Sequence, residues 1–196
     1  MKHVIRILSL FAAALLVISC GTMSQGTSRS GGTFSGGNKT FTFYNLPETL
    51  SELQELPAAN LKDPYGVAAL TVAALCRYET NPEDCFAMLE WLKGSEGLTV
   101  NERMFLRDRL QGKGYKARSF FVGATPQNKY APTEPYRIAP VSNSYSFRES
   151  GAATIYVRSS GAEDPRPIML RKEKSSGKWF LHDIQCLGDD IRTPAN

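Results

Sequence analysis

The side chains with the most chemical reach in this sequence are basic and lie late in the chain. Arg158, Arg166, Arg171 and Lys178 fall on successive hairpin strands, with Tyr156 and Trp179 beside them. Guanidinium forks suit carboxylates, phosphates and sugar acids, and interleaved aromatic rings add stacking surface. These six residues are the expected ligand or partner surface. The competing reading is a set of solvated strand residues paired with Glu163, Glu173 and Asp183. Catalytic constellations are sparse. After His3 the only histidine is His182, which excludes mechanisms needing two histidines and metal sites built on two or three. His182 and Cys186 share a strand face but stand about 13 Å apart, too far for proton transfer. Gly112-Lys113-Gly114 lacks the phosphate-loop spacing and follows a helix where such a loop would open one. Glu163/Asp164 and Asp189/Asp190 are the carboxylate pairs that a glycoside-hydrolase chemistry would need, and both sit in turn-like contexts beside Gly or Pro. No metal and no cofactor is expected.

The first twenty residues carry a different kind of information. Lys2, His3 and Arg6 precede an apolar run from Ile7 to Ile18, interrupted by Ser9, and then Ser19-Cys20-Gly21. A basic start, a short apolar stretch and small residues form a secretory signal peptide, and the run is too short to span a bilayer. The cysteine directly after Ser19 resembles the bacterial lipobox. That resemblance implies cleavage before Cys20 and a diacylglycerol on its thiol, an anchor that holds stably once two or more acyl chains are present. Gly21 at the following position favours an outer membrane if the cell has one. The expected organisation is signal peptide 1–19, lipidated Cys20 with a Gly/Ser-rich tether to residue 39, and one domain over 40–196. Thirteen of the nineteen residues from Gly21 to Lys39 are Gly, Ser or Thr, with Phe34 the only aromatic. Such a segment cannot bury enough surface to fold, and as a coil spans about 25 Å.

The chain has 196 residues, 42% hydrophobic and 21% charged, enough apolar material for a real core. Net charge is +4. Removing residues 1–19 takes Lys2 and Arg6, leaving 21 basic against 19 acidic residues, or +2. A charge of +2 gives no warrant for nucleic-acid binding. Cys76, Cys85 and Cys186 remain besides Cys20. Cys76 and Cys85 flank the turn signal Asn81-Pro82 between two helices and are the expected disulfide pair in an oxidising compartment. Three buried free thiols are the alternative.

The positioning elements follow from period and punctuation. Thr40 to Leu46 alternates as a short strand, and Leu50, Leu53 and Leu56 mark an irregular helical turn. Asp63-Pro64 opens a helix to about Tyr78 whose middle is apolar and buried on most sides. Asn81-Pro82 opens a second, ending near Lys93-Gly94. Thr99 and Glu102 form the capping box of a third, which places Met104, Phe105, Leu106 and Leu110 toward the core. Beyond Gly114 a period of two predicts strands over 116–122, 136–141, 145–148, 153–159, 167–172 and 179–186, and the Pro-containing stretch 123–135 a long loop. Arg107 or Arg109 is expected to clamp that loop, and Ile191 to fold back into the core. Three helices packed on an antiparallel sheet of about four to six strands make an α+β domain.

From about Asp63 to Pro194 the chain resembles an uncharacterised family of bacterial domains of unknown function. The resemblance is carried by Arg107-Asp108-Arg109-Leu110, Gly123-Ala124-Thr125-Pro126, Ser159-Ser160-Gly161-Ala162 with Pro165-Arg166-Pro167, Leu170-Arg171-Lys172, Lys178-Trp179 and Ile191-Arg192 before Pro194. It implies a shared fold and no activity, and it implies that His182, an aromatic in many members, is not an essential group. The closing Gly177-Lys178-Trp179 is also similar to that of small lipoproteins of the NTF2-like and cystatin-like kinds. The expected function is that of an exported, lipid-anchored binding module facing the periplasm or the exterior. Its partners would be the membrane through the anchor, and an envelope protein or a small anionic ligand through the basic surface. A carboxylate-based envelope hydrolase and a structural assembly role are the alternatives.

Overall fold

The start signals read from the sequence act where they stand. In the computed structural model, which describes Phe34 and residues 39–196 apart from the Cys186 side chain, the Asp63 carboxylate accepts from the Tyr65 amide at 3.1 Å and Pro64 takes the first helical position. The Asn81 side chain accepts from the amides of Glu83 and Asp84. Thr99 and Glu102 cap each other reciprocally. The helices are α1 (Leu50–Glu55), α2 (Pro64–Cys76), α3 (Pro82–Lys93), α4 (Val100–Leu110) and a single turn, α5 (Tyr115–Arg118). The signal peptide, Cys20 and most of the tether lie outside the described residues.

Ten consecutive residues of α2, Gly66 to Leu75, are buried. A helix apolar all round needs neighbours on every side. Its one interior hydroxyl, on Thr71, donates to the Val67 carbonyl at 2.9 Å. Gly66 permits the closest crossing: a Cβ there would sit 3.3 Å from the Ala58 Cβ and 3.4 Å from the Phe41 ring. Strands β3 (Ala152–Val157), β4 (Arg166–Lys172) and β5 (Trp179–Asp183) form an antiparallel sheet in the order β3-β4-β5. Ala153 faces Leu170 and Ile155 faces Ile168 across β3 and β4, and Leu170 faces Leu181 across β4 and β5. Those residues form one buried face, and α2 packs against both β3 and β5.

The fold is α+β, but the single larger sheet is replaced by two small ones. The first strand, β1 (Phe41–Phe43), precedes the helices and pairs antiparallel with β2 (Tyr136–Ile138), far along the chain. Residues 116–122 form the turn of α5 and the bends after it, where a strand was expected. Ala117, Phe120 and Phe121 are the buried apolar members, a spacing of three and four that serves a helical turn better than a strand. Residues 145–148 also turn: the Asn143 side chain accepts from the Tyr145 amide at 2.9 Å and the Ser146 hydroxyl from the Asn143 amide at 3.0 Å, the local bonding by which Asn and Ser compete with strand pairing. Of the stretch beyond Ile138, only Val141 bridges to Tyr156. On α4, Leu106 and Leu110 are buried and Met104 faces solvent, because one helical face cannot carry 104, 106 and 110 together.

One buried ion pair ties three elements together. Lys93 at the end of α3 donates to Glu102 at 2.6 Å and to the His182 carbonyl of β5 at 2.9 Å, with its side chain only 5% exposed. Burial opposes the Glu102 charge, but Lys93 and the Thr99 amide and hydroxyl outweigh it and lower its pKa. Glu102→Gln leaves Lys93 without its counter-charge, a class of change that costs about 3 kcal/mol. The loss is expected in full above the ordinary carboxylate pKa of about 4.3. It shrinks as pH falls through the lower folded value, because the group bonds best when ionised. Urea denaturation of both proteins at pH 7 and pH 3 measures it.

Candidate functional site

A cleft of about 430 Å³ opens where α5 and the loop after it meet the β3–β4 hairpin. Phe120, Phe121 and Ala124 supply apolar walls, and Arg158 and Glu163 stand on the hairpin side. Hydroxyls at its base are directed. The Gly161 amide donates to Ser159 Oγ at 3.0 Å, Ser159 Oγ to Ser119 Oγ at 2.7 Å, and Ser119 Oγ to the Lys116 carbonyl at 2.6 Å. Ser160 Oγ donates to the Ala124 carbonyl at 2.5 Å. Each hydroxyl proton runs to an acceptor within the fold, and among the described residues no general base bonds to any of these serines, so the row shapes and rigidifies the base of the cleft.

The walls are held from outside by a residue the sequence did not single out. Asn128 accepts from the Thr125 amide at 2.8 Å and donates to the carbonyls of Gly123 and Ala131 at 2.8 and 3.0 Å. These bonds close the 123–131 stretch, which neither Arg107 nor Arg109 clamps. Arg107 lies near Tyr78, where its charge opposes the rise in the Tyr78 pKa that burial causes, and Arg109 pairs with Asp189 at 3.4 Å. Thr125-Pro126-Gln127-Asn128 carried the signal: proline in second place of a turn with Thr and Asn at its ends. The chain terminus then lies against the loop. Ile191 is buried as expected, the Arg192 amide donates to the Gly161 carbonyl at 2.9 Å, fully buried Tyr130 donates to the Arg192 carbonyl at 2.8 Å, and the Ala195 amide to the Pro126 carbonyl at 2.9 Å.

The expected basic and aromatic surface is divided. Tyr156 and Arg158 lie together at the end of β3. Arg171 is on the same outward face of the sheet but is held by Glu96, which also lies 3.4 Å from His182 Nδ1. Arg166 takes the position opposite Val157 and donates to the Asp190 carbonyl at 3.1 Å. Trp179 points inward, 9% exposed, with Lys172 over its ring. Lys178 is fixed in the turn before β5, its amide on Ser176 Oγ at 3.2 Å. The cation at the cleft with no ion pair among the described residues is Arg158. Of the carboxylate pairs, Glu163 alone reaches the cleft, and Asp189 is bonded to Arg109. Among the described residues no three His, Cys, Asp or Glu side chains gather as a metal site, and no helix is long and apolar enough to cross a membrane.

Residues 45–195 match the model of a family described as a domain of unknown function, DUF6935. The chain belongs to that family. The match begins before α1 and so takes in the helical turns ahead of α2 as well as the stretch from Asp63 on. No curated protein and no solved structure matches the chain. In this DUF6935 domain the segments 123–125 and 158–163, which supply most of the cleft, all lie inside the matched region.

Cys76 and Cys85 are free thiols on α2 and α3. Burial is the largest influence on both. It pushes Cys76 up to about 12, with Arg118 opposing and Glu79 assisting. It raises Cys85 as well, helped by the charge of Cys76. A thiol that high stays protonated at neutral pH and is a poor nucleophile. Native protein at pH 8 is expected to alkylate at neither position, and protein in urea without reductant at both. Failure of both to label in urea, followed by labelling after reduction, would show a Cys76–Cys85 disulfide. At Gly161 a Cβ would collide with the Tyr130 hydroxyl and lie 2.8 Å from Ile191 Cγ2. Gly161→Ala is therefore expected to displace the terminal segment, speeding its removal by carboxypeptidase and lowering Tm by several degrees.

Proposed function

We propose that this protein is exported and held to a membrane through lipid on Cys20, and that its domain is a binding module for a small anionic ligand. One observation carries the ligand reading: the exposed Arg158 guanidinium, without an ion pair among the described residues, stands beside an apolar cleft large enough for a small molecule. Ligand sites are typically concave and mostly apolar, with a few polar groups that set orientation. Arg158 offers a bidentate fork to a carboxylate or phosphate, and Phe120 and Phe121 offer surface to an apolar body. Glu163 nearby favours ligands that carry a cationic group as well. The lipid anchor rests on the sequence from Lys2 to Gly21.

The hydrolase alternative needs two carboxylates flanking one substrate. The cleft supplies one, Glu163, and the Ser119, Ser159 and Ser160 hydroxyls are committed to acceptors within the fold. A partner protein bound through Tyr156, Arg158 and Trp179 together is disfavoured by the inward setting of Trp179.

Two measurements test the reading. Intact mass and detergent partition of the native protein beside Cys20→Ala should show diacylglycerol on the wild type and an unprocessed or soluble variant. Benzoate, a carboxylate on a small apolar ring, should bind by calorimetry. Arg158→Ala should weaken it at least tenfold, and Arg171→Ala, whose side chain is already held by Glu96, should not. Equal affinity in all three proteins, or none, would remove Arg158 from the site.

A further inference from the structure

Phe34 is the only aromatic residue between Gly21 and Lys39, and it lies against the domain. Its ring centroid is 5.0 Å from that of Tyr156, with the planes at 78°. Edge-to-face contact of this kind is the preferred geometry for aromatic pairs. On the same ring sits the Arg158 guanidinium, 5.4 Å from the centroid, within cation–π range. Of the two residues that hold Phe34, Tyr156 is on β3 and Arg158 directly follows its last residue, and Phe34 is itself half-buried.

A second attachment follows five residues later. Lys39 Nζ is 2.8 Å from the Asp63 carboxylate at the start of α2 and 5.5 Å from the Tyr65 ring centroid. Tyr65 donates to Ser142 Oγ at 2.8 Å, and the adjacent Val141 exchanges two backbone bonds of 2.8 Å with Tyr156. Lys39, Tyr65, Ser142, Val141, Tyr156 and Phe34 thus form one continuous row of contacts. Five residues reach at most about 17 Å, which keeps the second contact local to the first.

We propose that the surface made by Tyr156 and Arg158 is a docking site for an aromatic side chain, and that its occupant is Phe34 of this same chain. The segment leading to Cys20 is then fastened to the domain at residue 34. The stretch of sequence between Cys20 and that attachment is then the thirteen residues from Gly21 to Thr33. Any partner presenting an aromatic residue to this surface must displace Phe34 first. The contact is defined by the Arg158 Cζ over the Phe34 ring, and the inference stands whether or not Arg158 also holds an anion or Cys20 carries lipid.

Chymotrypsin cleaves after phenylalanine, and mass spectrometry of the full chain in detergent follows the Phe34–Ser35 bond. The expected result is cleavage at least fivefold slower in the wild type than in Arg158→Ala or Tyr156→Ala, at a rate independent of protein concentration. Arg158 is exposed, so its variant keeps the fold even where loss of the half-buried Tyr156 ring disturbs it; an unchanged melting curve confirms that. Equal cleavage rates in wild type and Arg158→Ala would overturn the proposal. Protection that grows with protein concentration would also overturn it, because the occupant would then come from a second copy of the chain.

Discussion

Helix α2 has no polar side, and the rest of the domain is arranged by that fact. Gly66 to Leu75 must all leave water, and the hydrophobic gain scales with the apolar area removed. One layer cannot cover a helix on every face. The three-stranded sheet takes one side, α3 and α5 take others, and the short turn at Ala58 crosses closely at Gly66. The distant pairing of β1 with β2 follows as well. Phe41 touches the close crossing at Gly66, and the strand that carries it then pairs with the segment that arrives at residues 136–138.

Polar groups caught inside this arrangement are joined up. Lys93 reaches across from α3 to Glu102 and to the backbone of β5, and Glu102 in turn caps α4 through Thr99. Lys116 on α5 donates to the Gly188 carbonyl near the end of the chain. Each lysine carries a charge that would be costly to bury alone, and each is placed where an ion or a carbonyl from a remote element meets it. The Lys93–His182 and Lys116–Gly188 contacts bind segments separated by many tens of residues, so they fix how the helices sit on the sheet.

The cleft is a by-product of the same packing. Once α5 and the 123–131 stretch are pressed against the hairpin after β3, the hydroxyls of Ser119 and Ser159 meet and the terminal segment closes over Gly161 and Pro126. Arg158 is left at the edge, facing Phe34 and open solvent, because the acids nearest in sequence, Glu163 and Asp164, form no ion pair with it among the described residues. Arg158 is thus singled out at the cleft by which partners the fold gave to the other basic residues. Arg171 met Glu96, and Arg166 met the Asp190 carbonyl.

The sequence by itself determined what is local. Asp63-Pro64, Asn81-Pro82 and Thr99 with Glu102 start helices through bonds that span two or three residues, and they act the same way in any surroundings. The alternation of Ile155 and Val157 against Tyr156 and Arg158 likewise needed only a pleated strand with one buried face. Over Lys116 to Val122 a strand would put Ala117 and Phe121 on one face and Phe120 on the other, whereas a helical turn buries all three together, and contact with the rest of the core chose the turn. The size of the sheet, the inward setting of Trp179, the anchoring role of Asn128 and the isolation of Arg158 all depended on the tertiary structure. Each is settled by contacts between residues dozens of positions apart, and those contacts exist only after α2 has been surrounded.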